Sequence, residues 1–259
     1  MDDINKLLLE HRKPEYKAQM LADAFILVKR QLSDAVSEDT FIIQAISSIG
    51  DLDRICNTLT KRMREWYGYY YPEFAHKVQD NEAFIRRIIQ KSKSELMTEY
   101  SHTEPADSKF KEKDINEMIN LAKRINDLYD EREKLITYID NIMLTYCPNV
   151  YTITGAIIGA KLLEKAGSLK HLSQMPSSTV QLLGAEKALF RHLRNKKIRP
   201  PKHGLILSHN LVIGAPRNKK GTAARVLAAK ISIAAKVDYF HGEFIGDTLL
   251  ENLKKKLGQ

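Results

Sequence analysis

The chain has 259 residues, 43% hydrophobic and 28% charged, and a net charge of +9. It is long enough for one large domain or two smaller ones with real cores, and too hydrophobic for a disordered tail. Its two cysteines, Cys56 and Cys147, have no second cysteine or histidine at ligand spacing, which argues against a disulfide framework or a zinc site.

The opening MDDINKLLLEH carries acids where a signal peptide carries bases. The longest weakly polar stretch, 150–160, is too short to span a bilayer, so a soluble protein without a membrane partner is expected. Helical periodicity starts at 17–36, with Met20, Leu21, Ala24, Leu27 and Val28 on one face. Asp39 is placed to cap a second helix that Gly50 stops, and Asp51 and Asp53 begin a third that Gly68 breaks. The YGYYYPE run ending at Pro72 and Glu73 reads first as a corner where rings pack helices together, and second as a base-stacking cluster.

Two long helices are predicted next, over 74–100 and 111–146. On the second, positions 115, 118, 122, 125, 129, 132, 136, 139, 143 and 146 advance alternately by three and four, and only Arg132 interrupts an apolar seam. The polar link SHTEPADSK reads as the tip of an antiparallel helical hairpin. An arm of this length reaches roughly 50 Å. Its seam exceeds what two helices cover, so a homodimer joined through the arms is expected. After Pro148 the spacing predicts helices at about 152–166, 177–195, 222–240 and 246–257. Gly155 and Gly159 form a small-xxx-small pair that marks close packing within a helix.

The basic residues are concentrated. Residues 187–237 hold 13 Lys/Arg and no Asp or Glu, leaving a net charge of −4 for the rest of the chain. One surface of that sign attracts phosphate backbones and releases their counterions, so a nucleic acid is the expected partner. In GAEKALFRHLRNKK, Lys187, Arg191 and Arg194 share one stripe, while Leu189, Phe190 and Leu193 occupy another that should face the core. Gly184 and Ala185 let a ligand approach the backbone, and Glu186 can accept hydrogen bonds from base amines or simply pair with Lys187. Lys196 and Arg199 follow, and Pro200 and Pro201 stiffen the loop that carries Lys202 and His203. His209 fits a core carbonyl as well as an exposed base. Arg217, Lys219 and Lys220 precede a helix that carries Arg225, the setting in which amides and side chains hold phosphate together.

No GxxxxGK[ST], GxGxxG, HExxH, GxSxG or zinc-deaminase signature occurs, and the histidines form no i, i+4 pair. Neither catalytic residues nor a metal or cofactor are expected. A binding protein is favoured over an RNA-modifying enzyme.

The segments REWYGYYYPE (64–73), GAEKALFRHLR (184–194), RPPKHGLI (199–206) and ARVLAAKISIAAKVDYF (224–240) resemble the Nop-domain family, core proteins of box C/D small ribonucleoproteins, most of all its archaeal members. The resemblance runs from about residue 17 to the end. It implies an all-α protein in which 1–16 is a stub, 17–73 a helical body, 74–147 a coiled-coil arm for self-association and 148–259 a Nop domain. It also implies a scaffold for guide-RNA-directed 2′-O-methylation. The Nop domain would bind kink-turn RNA together with the ribosomal-protein-like factor that binds the kink-turn first, through GAEK and ALFR and, by alignment, His209. Complete members carry an N-terminal domain that binds the methyltransferase fibrillarin. Only MDDINKLLLEHRKPEY stands here in its place, so fibrillarin is expected to bind the full-length protein and not this chain. The missing Lys-rich tail points to an archaeal, cytoplasmic protein, whereas a eukaryotic source would imply the nucleolus. A spliceosomal Nop protein is the rival of the same class.

Overall fold

The structure is a computed structural model that describes residues 14–100 and 110–257, and every regular element within them is helical. The predicted all-α class is borne out. The chain divides into two units, residues 1–41 and 42–259. In the first, α1 (Pro14–Ala35) begins three residues before the predicted start, and Met20, Leu21, Leu27 and Val28 are exposed.

Helix α2 (Glu38–Tyr70) is one helix of 33 residues where two were predicted. Asp39 lies inside its first turn and receives the Ser37 hydroxyl, so it is not the cap. Gly50 and Gly68 do not interrupt it. A glycine in a helix interior costs about 1 kcal/mol, and burial on both sides outweighs that. Ile42, Ala45, Ile46 and Ile49 are buried before Gly50; Cys56, Met63 and Tyr67 are buried after it.

The predicted 74–100 helix is three helices: α3 (Pro72–Lys77), α4 (Asn81–Gln90) and α5 (Lys93–Tyr100). The first break is built by Arg64 of α2. Its guanidinium donates to the carbonyls of Ala75 (3.0 Å), Val78 (2.6 Å), Gln79 (3.1 Å) and Asp80 (3.0 Å), and its planar group lies 4.3 Å from the centre of the Phe84 ring. Asp80 then caps α4 by accepting from the Ala83 N–H at 2.7 Å. At the second break Ser92 and Glu95 form a reciprocal capping box, with the Ser92 N–H 2.7 Å from the Glu95 carboxylate. Tyr67, Tyr71 and Phe74 are buried; Tyr67 and Phe74 pack ring against ring with Phe84 and Tyr71 stacks on Phe74, so the aromatic run is a core corner, although Tyr69 is exposed. The predicted hairpin tip, 101–109, lies outside the described residues.

Helix α6 (Glu112–Tyr146) matches the prediction to within a residue. Along its seam Met118, Ala122, Ile125, Ile139 and Met143 are fully buried, and Tyr129 nearly so. They are covered within one chain, however, by α2, α3, α4 and α5 at one end and by the C-terminal helices at the other. The seam therefore supplies no reason for a second copy. Arg132 sits between two apolar clusters and donates to Asp53 of α2 at 2.6 Å. The arm core runs up to Tyr129, and the head core begins at Leu135.

The head contains α7 (Pro148–Thr154), α8 (Ala156–Ala166), α9 (Leu169–Gln174), α10 (Ser177–Leu182), α11 (Glu186–Arg194), a 3-10 turn (Leu205–Ser208), α12 (Asn210–Ile213), α13 (Lys220–Tyr239) and α14 (Gly246–Leu257). The alanine-rich α13 runs through the middle, with Ala223, Ala224, Ala228, Ala234 and Ala235 buried against its neighbours. Gly155, at φ +72°, ends α7, a conformation that favours glycine. Gly159 does mark close packing: a Cβ there would lie 2.5 Å from the Met143 methyl and 2.8 Å from the Thr154 hydroxyl. Asp238, at the end of α13, caps α7 by accepting from the N–H groups of Asn149 (3.1 Å) and Val150 (2.8 Å) and from the Asn149 side chain (2.7 Å). Burial pushes its carboxyl above the usual range even so.

Candidate nucleic-acid interface

The GAEK turn is set by its first residue. Gly184 has φ +85°, and a Cβ there would lie 2.5 Å from Leu205 Cγ. Its N–H donates to a Glu186 carboxylate oxygen at 2.6 Å, so that oxygen turns back onto the chain's own backbone. The helix that follows, α11, has no buried residue. This corrects the expectation that Leu189, Phe190 and Leu193 face the core: Phe190 is 61% exposed, Leu193 51% and Leu189 half-buried, because among the described residues no other element packs extensively against α11. Lys187, Arg191 and Arg194 are exposed on the same helix, and Lys196 and Arg199 are exposed in its continuation. Five of the predicted cations and two large apolar side chains are thus exposed along α11 and its continuation.

The proline-stiffened loop is fastened to α10. The Gly204 N–H donates to the Gln181 carbonyl (2.8 Å), the Leu205 N–H to the Leu183 carbonyl (2.7 Å), and the Gln181 side chain to the Lys202 carbonyl (2.6 Å). Only glycine fits at 204, since a Cβ would sit 1.9 Å from the Leu183 oxygen. Opposite this loop, the Lys219 and Lys220 N–H groups close a turn onto the Pro216 carbonyl, and α13 starts at Lys220. Between the two walls lies a cleft of about 880 Å³.

Five of the predicted residues line that cleft: Lys202, His203, Arg217, Lys220 and Arg225. Among the described residues no carboxylate does. Lys219 is exposed beside it, and the α11 cations lie outside it. Gln181, Asn218 and Thr222 also line it and were missed by sequence reasoning. They carry no charge, and their role depends on a loop pairing that no local pattern encodes.

His209 is elsewhere. It lies in a second recess with Gly155, Asn210 and Lys254. Its Nε2 is 2.9 Å from the Ile153 carbonyl, and its Nδ1 accepts from the Leu211 N–H at 3.2 Å. Burial lowers its pKa below the ordinary histidine value, which fits a neutral ring with the proton on Nε2. Of the two sequence readings, core satisfaction describes the nitrogens; only the ring face is left for stacking. Among the described residues, no cluster of His, Cys, Asp or Glu is placed to hold a metal ion, and no helix is long and apolar enough to cross a membrane.

The family model for Nop, described as "snoRNA binding domain, fibrillarin", matches residues 48–259. The chain belongs to the Nop family. A NOP5 family protein of Methanocaldococcus jannaschii is 38% identical to this Nop-family chain over 260 residues, covering 94% of this chain and 62% of that protein. Nucleolar protein 58 of Schizosaccharomyces pombe is 38% identical over 219 residues, covering 77% of this chain and 42% of its own length. The chain therefore spans less than two thirds of the length of each of these relatives. A solved structure described as a fibrillarin/Nop5p complex contains a chain of the same fold, with a TM-score of 0.56 at 23% identity; the match covers 95% of this chain and 80% of that one. The matched family region takes in most of α2, the arm and the whole head, including every residue of the two basic surfaces.

Proposed function

We propose that this chain is a non-catalytic RNA-binding scaffold of a box C/D small ribonucleoprotein, serving guide-RNA-directed 2′-O-methylation. The observation that carries the reading is the pair of acid-poor basic surfaces, the α11 face and the cleft, within the region matched by a snoRNA-binding family. The ligand is kink-turn RNA already bound by its ribosomal-protein-like factor. The two exposed apolar side chains of α11 support a composite RNA–protein partner over bare phosphate alone. Fibrillarin is inferred as a partner of the complete protein. Dimerisation through the arm, implied by the family resemblance, would use faces other than the buried seam.

A gel shift with kink-turn RNA, with and without the kink-turn protein, tests this. Weak binding alone and tight binding with the protein are expected. Equally tight binding without it would remove the composite partner; absence of binding in both lanes would remove the RNA reading. Incubation of the chain with S-adenosylmethionine and RNA should give no methyl transfer, and product in that mixture would overturn the scaffold role.

A further inference from the structure

The basic residues fall into two sets of different shape. One is the exposed helix α11, a surface that can lie along a duplex backbone. The other is the cleft, whose volume of about 880 Å³ falls in the range of pockets that enclose small ligands, roughly 300–1,000 Å³. A paired helix cannot enter such a space, whereas a strand with unstacked bases can, and that is how proteins read unpaired RNA.

The cleft's lining suits a nucleotide. Lys202, Arg217 and Lys220 supply cations from both walls, and among the described residues no carboxylate lines the cleft beside them. Gly221 and Thr222, in the first turn of the 20-residue α13, also line it, and N–H groups there have no acceptor within the helix. Leu182, Pro201 and Leu207 add apolar surface against which a base can lie. One wall is fixed before any ligand arrives, because three hydrogen bonds and the Gly204–Leu183 contact pin the loop to α10. Little ordering is then left for binding to cost.

We propose that this cleft holds an unpaired nucleotide of the bound RNA, its phosphate among Lys202, Arg217 and Lys220, while α11 meets paired RNA. The proposal rests on the RNA-binding reading above, and the experiment separates the two.

Fluorescence anisotropy of the full chain would be measured with two probes, a short oligouridylate and a blunt RNA duplex. The cleft pair Arg217→Ala/Lys220→Ala and the helix pair Lys187→Ala/Arg191→Ala remove the same charge, so a purely electrostatic loss is equal for both. The cleft pair should weaken oligouridylate binding roughly tenfold and duplex binding by less than about threefold. The helix pair should do the reverse. Leu207→Trp, which narrows the cleft without changing its charge, should weaken oligouridylate alone. Equal losses on both probes from both pairs would sink the cleft proposal and leave RNA binding standing. So would an unaltered chain that binds the duplex and not the single strand. An unaltered chain that binds neither probe would overturn the cleft proposal alone, because the RNA-binding reading is decided by the gel shift with the kink-turn protein.

Discussion

At the scale of single residues, two side chains carry more than their positions suggest. His209 is held neutral by burial, with both ring nitrogens engaged. Its native pKa lies below its unfolded value, so below the ordinary value of about 6.5 the unfolded chain binds more protons and stability falls with pH. The thermal midpoint of the head should drop between about pH 7 and about pH 5, and His209→Gln should flatten that slope whatever it does at neutrality. Asp238 has the opposite sign, because a carboxyl raised by burial favours the native state as it protonates, so its effect enters at more acidic pH. Arg64 is the other case. Its guanidinium serves four carbonyls and the Asn81 side chain, and truncation leaves a turn without donors. Arg64→Ala should cost about 2–4 kcal/mol in urea unfolding, and Arg64→Lys should recover little, since an ammonium lacks the planar fork.

At the scale of elements, glycines discriminate between packing that can yield and packing that cannot. A methyl at Gly159 would press on the end of the flexible Met143 side chain, whereas one at Gly204 would meet a backbone carbonyl. Gly159→Ala should cost about 1–3 kcal/mol and leave RNA binding unchanged. Gly204→Ala should cost more and also weaken oligouridylate binding, because one wall of the cleft moves; equal effects on stability would count against the contact. The sequence shows some of these elements and hides others for physical reasons. Helix α6 was legible because a three-four repeat along nearly all of a 35-residue helix has no competing period. The breaks at Asp80 and Ser92 were not read, although Ser92 and Glu95 stand at capping-box spacing; the first break depends on Arg64, 16 positions away from Asp80. Gly50 and Gly68 were read as stops because local propensity carries no knowledge of what is buried on either side. The basic surface was legible from charge alone. The cleft was not, since it needs the Gln181–Lys202 pairing, 21 positions apart. The exposure of Phe190 and Leu193 also eluded periodicity, which finds an apolar face but not its cover.

At the scale of the molecule, two apolar clusters meet at Arg132 and Asp53, and no buried apolar residue of α6 lies between Tyr129 and Ile139. The head core includes Leu135, Ile136, Ile139 and Met143, so an excision that reaches 143 would remove part of it. Removing 54–131 and joining Asp53 to Arg132 through a short glycine-serine linker should leave a head that melts cooperatively and keeps its affinity for both RNA probes. Loss of a cooperative melt would show that the two cores are one. The same boundary makes the reach of the arm an adjustable dimension. Matched seven-residue insertions in α2 and α6, on the arm side of the Arg132–Asp53 pair, would lengthen it in steps of about 10 Å while leaving every head contact in place. Under the scaffold role proposed above, changing that one measurement would re-gauge the chain to a longer or shorter guide, with the α11 face and the cleft left untouched.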